Sequence, residues 1–200
     1  MPSRRTLLSV GGGAAAAAWL LGLGWWRVDG PGAPARASAL PRPLGSIDVA
    51  LTDHRGGRAP VSAWAARPTL VFFGFTWCPD VCPTTLSSLS IWLDELGEEA
   101  GRLGVALITV DPERDSLEVL ADYLSHFGER FTGYTGAPEE IAAVAEAMSV
   151  TYRKVPTDEG YTMDHTAGVF LFREGGAFAG VIDPHDDPGF ALPRIRRALS

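Results

Sequence analysis

The stretch that decides the fold is FFGFTWCPDVCP, Phe72–Pro83. It overlaps an apolar run, Thr69–Phe75, which is typical of a central strand covered on both faces. It also carries the only two cysteines of the chain, Cys78 and Cys82. The spacing predicts that both thiols lie in the first turn of the next helix and project from one face, because residues four apart are neighbours on a helix. Two thiols so placed can form a disulfide or bind a soft metal.

The N-terminal residues 1–26 are predicted to be an export signal or a membrane anchor. Arg4 and Arg5 resemble the start of a twin-arginine signal, and Leu7 to Trp26 contains no charged residue. At about 1.5 Å of rise per residue this segment is long enough to cross a bilayer, although it is rich in Gly and Ala and small residues further on offer cleavage sites. We expect an uncleaved anchor that leaves the bulk of the protein outside the cytoplasm.

An extracytoplasmic location makes a structural disulfide the first alternative for the two cysteines. A disulfide that closes so short a loop, however, removes little entropy from the unfolded chain. The spacing therefore favours redox or metal chemistry over a purely structural link.

Residues 27–43 are predicted to be a Pro-, Gly- and Ala-rich tether, and residues 44–200 a single folded domain. The predicted strands are Ile47–Thr52 (an edge strand), Thr69–Phe75, Val105–Val110, and a hairpin of Ala167–Arg173 and Ala177–Ile182. The predicted helices are Thr84–Leu96, a helix from a capping box at Asp115 to Phe127, one from Pro138 to Met148, and Phe190–Leu199. Strands that alternate with helices before a final hairpin and helix predict a three-layer α/β sandwich.

The charge of the chain argues against nucleic acid as a partner. The formal net charge is -7, from 17 basic and 24 acidic residues, and several of the basic residues precede the folded domain. An acidic domain has no electrostatic footprint for nucleic acid.

Three segments together resemble the SCO/SenC family, thioredoxin-like copper proteins that assist assembly of the copper-A centre of cytochrome c oxidase. The matching segments are Phe72–Leu86, Asp111–Asp115 and Tyr161–Thr166, and the similarity covers about residues 46–182. The resemblance implies a thioredoxin-like sandwich with a central mixed sheet, held to the membrane by one N-terminal helix. Trp77 stands where many members carry His or Tyr.

The resemblance also implies a copper site made by Cys78, Cys82 and His165. A single histidine before a strand is more often structural, but family members use this one as a ligand. We expect it in the loop before the closing hairpin, where a thioredoxin carries a cis-proline. Two thiolates and an imidazole suit copper, whereas a structural zinc site normally has four protein ligands.

The neighbours of these residues have less specific interpretations. Asp80 is either a helix cap or a residue that tunes the site, Asp164 either orients His165 or only belongs to the loop, and Asp111–Asp115 is interpreted as structural. An apolar rim that could dock a partner is predicted from Phe75, Trp77 and Tyr161. His54 and His126 are expected to face solvent. His185 is interpreted as part of an exposed acidic loop, with weak binding of a hard cation as the alternative.

The leading hypothesis is a monomeric, membrane-tethered, extracytoplasmic copper chaperone. Its expected partner is the copper-A subunit of cytochrome c oxidase or another copper chaperone. The alternative is a thiol–disulfide oxidoreductase that reduces the copper-ligand cysteines of that subunit, which needs Cys78 and Cys82 but not His165. A redox sensor on the same fold is a third interpretation.

Overall fold

The computed structural model describes residues 40–158 and 160–200. The predicted signal or anchor and the tether up to residue 39 lie outside these residues. In the part of the chain that is described, no helix has the length and apolar character required to cross a membrane.

Two sheets and four α-helices make up the described chain. The strands are β1 (Ala50–Asp53), β2 (Arg58–Pro60), β3 (Thr69–Gly74), β4 (Gly104–Thr109), β5 (Thr132–Thr135), β6 (Tyr152–Thr157), β7 (Gly160–His165), β8 (Val169–Phe172) and β9 (Phe178–Ile182). The helices are α1 (Val81–Leu96), α2 (Leu117–Ser125), α3 (Pro138–Ala147) and α4 (Pro188–Leu199). Three short 3-10 helices cover Leu44–Ser46, Val61–Ala66 and Gly97–Arg102.

The larger sheet has the strand order β2-β1-β5-β4-β3-β8-β9, and β6 pairs only with β7 in a separate hairpin. Strands β3, β4 and β5 are parallel, whereas β1, β8 and β9 join the sheet antiparallel. The prediction of an α/β fold with a central mixed sheet is therefore confirmed.

The centre of the sheet places the functional region. All six residues of β3 and all six of β4 are buried, because apolar side chains on both faces of each strand pack against other elements. The two strands run parallel, with Gly74 opposite Thr109 at their carboxyl ends. The loops that follow them, 75–80 and 110–116, therefore leave the sheet side by side, where ligand sites of open α/β sheets form.

Helix α1 is anchored by an apolar face that includes Leu86, Leu89 and Leu93, at the three- and four-residue spacing seen in the sequence. It ends where Gly97 adopts a positive φ of 57°. Its start is three residues earlier than predicted, at Val81, so that Cys82 lies in the first turn while Cys78 precedes the helix. The prediction that both thiols lie in the first helical turn is therefore wrong for Cys78.

Two other strand predictions need correction. The strand near residue 50 is not at the edge of the sheet, because β2 pairs along its outer side. The hairpin of β6 and β7 was not predicted, and His165 is the last residue of β7 instead of a loop residue. Four of the six residues of β6 are exposed, and β7 has two exposed, three half-buried and one buried residue in no regular order. Neither strand therefore shows the apolar alternation that marks a half-buried strand.

The turn between β8 and β9 gives a stability prediction with an internal control. Gly175 and Gly176 have nearly equal φ values of 82° and 81°, so alanine at either position costs about 1 kcal/mol of backbone strain. A Cβ at Gly176 would lie 2.9 Å from the Gly45 nitrogen, whereas a Cβ at Gly175 would have no neighbour within 4 Å. We expect Gly176→Ala to lower the free energy of unfolding by at least about 1 kcal/mol more than Gly175→Ala, measured by urea denaturation. Equal losses would contradict the close packing of this turn on the Leu44 segment.

Candidate functional site

The two cysteines lie at the junction of β3 and α1, and neither forms a disulfide. Cys78 is half-buried in the turn, where its N–H donates to the Phe75 carbonyl. Cys82 is fully buried, and its N–H points at Cys78 Sγ at 3.4 Å. Gly74 makes room below this pair, since a Cβ there would lie only 3.1 Å from Cys82 Sγ.

His165 reaches the same place from the end of β7. Its Nε2 lies 3.7 Å from Cys82 Sγ, and its Nδ1 lies 3.1 Å from the Thr166 carbonyl oxygen. A carbonyl can only accept, so Nδ1 carries a proton and Nε2 is the ring nitrogen that faces the thiol. The Phe75 and Phe72 rings meet the imidazole edge-on, with centroids 5.9 and 6.3 Å away. His165 Nε2 therefore lies beside Cys82 Sγ, and Cys78 Sγ lies against the backbone of the same cysteine.

The two thiols have opposite electrostatic environments. The hydrogen bond from Cys82 lowers the pKa of the Cys78 thiol to about 4, against the opposing effect of burial, and His165 and backbone donors add to the lowering. The same hydrogen bond, together with burial, raises the pKa of Cys82 far above its usual range. At neutral pH the pair is thus a thiolate at Cys78 and a thiol at Cys82.

Asp115 holds the cysteine loop to the end of β4. It is fully buried, and it accepts hydrogen bonds from the Thr76 N–H at 3.1 Å, the Thr76 hydroxyl at 2.6 Å and the Thr109 hydroxyl at 2.5 Å. The helix cap predicted at Asp115 is instead Ser116, whose hydroxyl accepts from the Val119 N–H. Asp115 is therefore a structural residue, as predicted, but for a different reason.

Asp111 and Arg114 hold the hairpin from the same loop. Asp111 is buried and pairs with the Nε of Arg114, and the Tyr161 hydroxyl donates to Asp111 Oδ1 at 2.9 Å. The Arg114 guanidinium lies over the Tyr161 ring, 3.8 Å from its centre. No local sequence pattern indicates this role for Arg114, because its partner Tyr161 is 47 residues away.

The remaining predicted neighbours fall into two groups. Asp80 occupies the N-cap position of α1 without a side-chain cap bond, and Asp164 pairs with Arg153 across the hairpin instead of with His165. The predicted apolar rim is only partly correct: Trp77 is 67% exposed, whereas Phe75 is 2% exposed and belongs to the core below His165.

The other histidines lie outside the site. His126 and His185 are exposed, in agreement with the prediction. His54 is half-buried, because its Nδ1 accepts a hydrogen bond from the Gly133 N–H, which corrects the expectation that it faces solvent.

The family model described as SCO1/SenC matches residues 42–200. The chain is 38% identical over 139 residues to the mitochondrial SCO2 homolog of Bos taurus and 36% identical over 147 residues to the mitochondrial SCO1 homolog of Homo sapiens. These matches cover 68% and 72% of this chain but only 52% and 49% of the two relatives, so the chain corresponds to about half of their length.

Among solved structures, the copper-bound ScoI of Bradyrhizobium japonicum superposes with a TM-score of 0.72 at 39% sequence identity. The match covers 80% of this chain and 100% of that one. The family match extends over nearly the whole described region, including the cysteine loop and the hairpin that carries His165. The chain is therefore a member of the SCO1/SenC family.

Proposed function

We propose that this protein is a copper chaperone that binds one copper ion through Cys78, Cys82 and His165. The observation that carries the proposal is the approach of His165 Nε2 to within 3.7 Å of Cys82 Sγ, from an element 83 residues further along the chain. In zinc sites the metal–sulfur bond is roughly 2.3 Å long and the metal–nitrogen bond roughly 2.0 Å. With bonds of these lengths and a sulfur–metal–nitrogen angle of about 120°, the sulfur and the nitrogen that share one ion lie about 3.7 Å apart. The observed separation supports a shared ion.

The donor set favours copper over the common alternatives. Thiolates select soft ions such as Cu(I), and an imidazole nitrogen suits either oxidation state of copper. Within residues 40–158 and 160–200, no group of three or more His, Cys, Asp or Glu side chains is already arranged to hold a metal ion. Loading therefore involves a side-chain adjustment, for which the half-buried Cys78 is better placed than the fully buried Cys82.

The proposed partner is the copper-A subunit of cytochrome c oxidase, or another copper chaperone that supplies the ion. The ion would pass by ligand exchange at the open side of the site, where Cys78 is half-buried and Trp77 is exposed. We place this activity outside the cytoplasm, with the N-terminal segment as the membrane attachment. Family membership and the copper-bound ScoI relative support this assignment.

The experiment that tests the proposal is a Cu(I) titration of the reduced protein against a chromophoric competitor. We expect wild type to bind one copper per chain and His165→Ala to bind it roughly 10- to 100-fold more weakly. Removing a residue that only orients a metal ligand already costs this much affinity, so removing a ligand should cost at least as much. The control is His185→Ala, which removes an exposed histidine paired only with Asp183, and which should bind like wild type. An unchanged affinity and absorbance spectrum in His165→Ala would contradict the three-ligand site.

A second function, thiol–disulfide exchange, is favoured by the asymmetry of the two cysteines. The accessible thiolate at Cys78 can attack a partner disulfide, and Cys82 can then resolve the mixed disulfide, leaving Cys78 and Cys82 oxidised and the partner reduced. This reaction has no need of His165 as a metal ligand. Reductase activity that survives His165→Ala while copper binding is weakened would therefore assign the exchange reaction as a separate function.

A further inference from the structure

The loop after β4, residues 110–116, contacts both elements that carry the proposed ligands. At one end Asp115 accepts hydrogen bonds from Thr76, two residues before Cys78. At the other end Arg114 contacts Tyr161, four residues before His165 on β7. One short segment therefore sets the position of the cysteine loop and of the histidine hairpin at the same time.

The contact with the hairpin is a closed three-residue unit, which we name the clasp: Asp111, Arg114 and Tyr161. Arg114 pairs through Nε with Asp111, and its Nη1 donates to the Tyr161 carbonyl at 3.0 Å. Its guanidinium carbon lies 3.8 Å from the centre of the Tyr161 ring, close enough for a cation–π interaction. The Tyr161 hydroxyl completes the unit by donating to Asp111. Both the backbone and the side chain of Tyr161 are thus held.

The hairpin depends on such contacts for its position. Its two strands pair only with each other, with Tyr152 opposite His165, and have no ladder to the seven-stranded sheet. An isolated two-stranded hairpin is marginally stable, so side-chain contacts must fix it against the rest of the domain. Met163 of β7 is buried in the core. A further link, Lys154 to Glu113, joins two side chains that are 44% and 59% exposed, and exposed ion pairs of this kind contribute little.

Arg114 also faces the cysteine loop. Its guanidinium carbon lies 5.5 Å from the Trp77 ring centre and 6.0 Å from that of Phe75. Phe75 in turn contacts the His165 ring edge-on. The same cation therefore contacts the strand that ends in His165 and lies near both the residue next to Cys78 and the aromatic ring beneath His165.

We propose that Arg114 is a positioning residue that holds His165 against Cys82 by clasping Tyr161. The proposal rests on the proposed copper site, because its consequence is a copper affinity that depends on Arg114 through His165. Arg114 itself is not a ligand. Its loss would remove the guanidinium contacts to the Tyr161 ring and carbonyl. The hydrogen bond from the Tyr161 hydroxyl to Asp111, both cysteines and the Asp115 network would stay in place.

The test is a double-mutant cycle with Arg114→Met and His165→Ala, read out as Cu(I) affinity. In the wild-type background we expect Arg114→Met to weaken binding about 10-fold, as for residues that orient metal ligands. In the His165→Ala background we expect less than about a 2-fold effect, because no imidazole remains to be misplaced, whereas two independent residues would show the same loss in both backgrounds. The charge-matched control is Arg153→Met, since Arg153 belongs to the same hairpin and pairs within it, to Asp164.

A second readout needs no copper. In the metal-free protein, NMR contacts between the Phe75 and His165 rings should be present in wild type and in Arg153→Met but weakened or lost in Arg114→Met. If Arg114→Met does not fold, Arg114→Lys replaces it, because lysine keeps the charge but cannot form the planar, two-partner contact.

The outcomes separate this inference from the copper site itself. An equal loss of affinity on Arg114→Met in both backgrounds, or unchanged ring contacts, would overturn the positioning role while leaving the three-ligand site intact. If His165→Ala alone has no effect on copper binding, the proposed function fails, and the ring contacts still decide whether Arg114 positions His165.

Discussion

Iodoacetamide is expected to modify Cys78 at least about 100-fold faster than Cys82 in the reduced, metal-free protein at pH 7. Cys78 is half-buried and its pKa is lowered to about 4 by the hydrogen bond from Cys82, so it is a thiolate at neutral pH. Cys82 is fully buried, and the same bond together with burial raises its pKa. A thiol with a pKa near 9 is only about 1% ionised at pH 7. A low pKa also weakens a thiolate as a nucleophile, but the accessibility of Cys78 and the protonation of Cys82 outweigh this.

The pH dependence of the same reaction tests whether the pKa of Cys78 is lowered or raised. Because the pKa of Cys78 is lowered, its modification rate should stay flat from about pH 6 to 9 and fall only as the pH approaches 4. An ordinary thiol would instead react about tenfold faster per pH unit up to its pKa of about 8.5. The measurement is short-pulse labelling followed by peptide mass spectrometry.

The control for this prediction is Cys82→Ala. It removes the donor that contributes most to the lowered pKa of Cys78, so the rate at Cys78 should become pH-dependent in the neutral range. Faster labelling of Cys82 than of Cys78 in wild type, or a Cys78 rate that climbs through pH 8, would contradict the assignment of the thiolate.

This asymmetry bears on both proposed functions. A thiolate at Cys78 is ready to receive Cu(I) without losing a proton, and metal affinity depends on the protonation of its ligands. The same thiolate can attack a disulfide. The proposed copper transfer and the proposed thiol exchange would therefore start from the same atom, and His165 is the residue by which they can be separated.

Much of the fold could be predicted from the sequence because its central elements carry strong patterns. The apolar run of β3 and the leucine spacing of α1 locate these elements within about three residues. The hairpin of β6 and β7 could not be found in this way, because β6 is mostly exposed and β7 shows no regular alternation of buried and exposed residues. The position of His165 in space was therefore implied only by family resemblance.

The supporting residues of the site were the hardest to predict. Asp115 and Ser116 are adjacent, and both residue types suit a helix cap. Asp115 is excluded from that role only by its hydrogen bonds to Thr109 and to Thr76, which is 39 residues away. Phe75 continues the apolar run of β3, yet its place under His165 depends on the hairpin. Such roles are set by long-range contacts that a local pattern does not contain.

Replacing Asp115 with alanine is expected to lower the free energy of unfolding by about 3 kcal/mol. The substitution leaves three buried or half-buried donors without an acceptor: the Thr76 N–H and the hydroxyls of Thr76 and Thr109. An unsatisfied buried donor costs about 1–3 kcal/mol, and loss of the buried charge offsets part of the sum. The measurement is urea denaturation of the reduced, metal-free protein.

The matched control is Ser116→Ala, which removes only the helix cap and should cost about 1 kcal/mol. A larger loss for Ser116→Ala than for Asp115→Ala would contradict the assignment of Asp115 to the buried network.

Asp115→Asn adds a test by pH. Burial raises the pKa of Asp115, so the folded state binds this proton more tightly than the unfolded chain does. The free energy of unfolding of wild type, relative to that of Asp115→Asn, should therefore increase as the pH falls from 7 towards 4. It should decrease as the pH rises through the pKa that Asp115 has in the folded state. A carboxylate that only capped a helix would show the opposite trend, because its favourable charge would be lost on protonation.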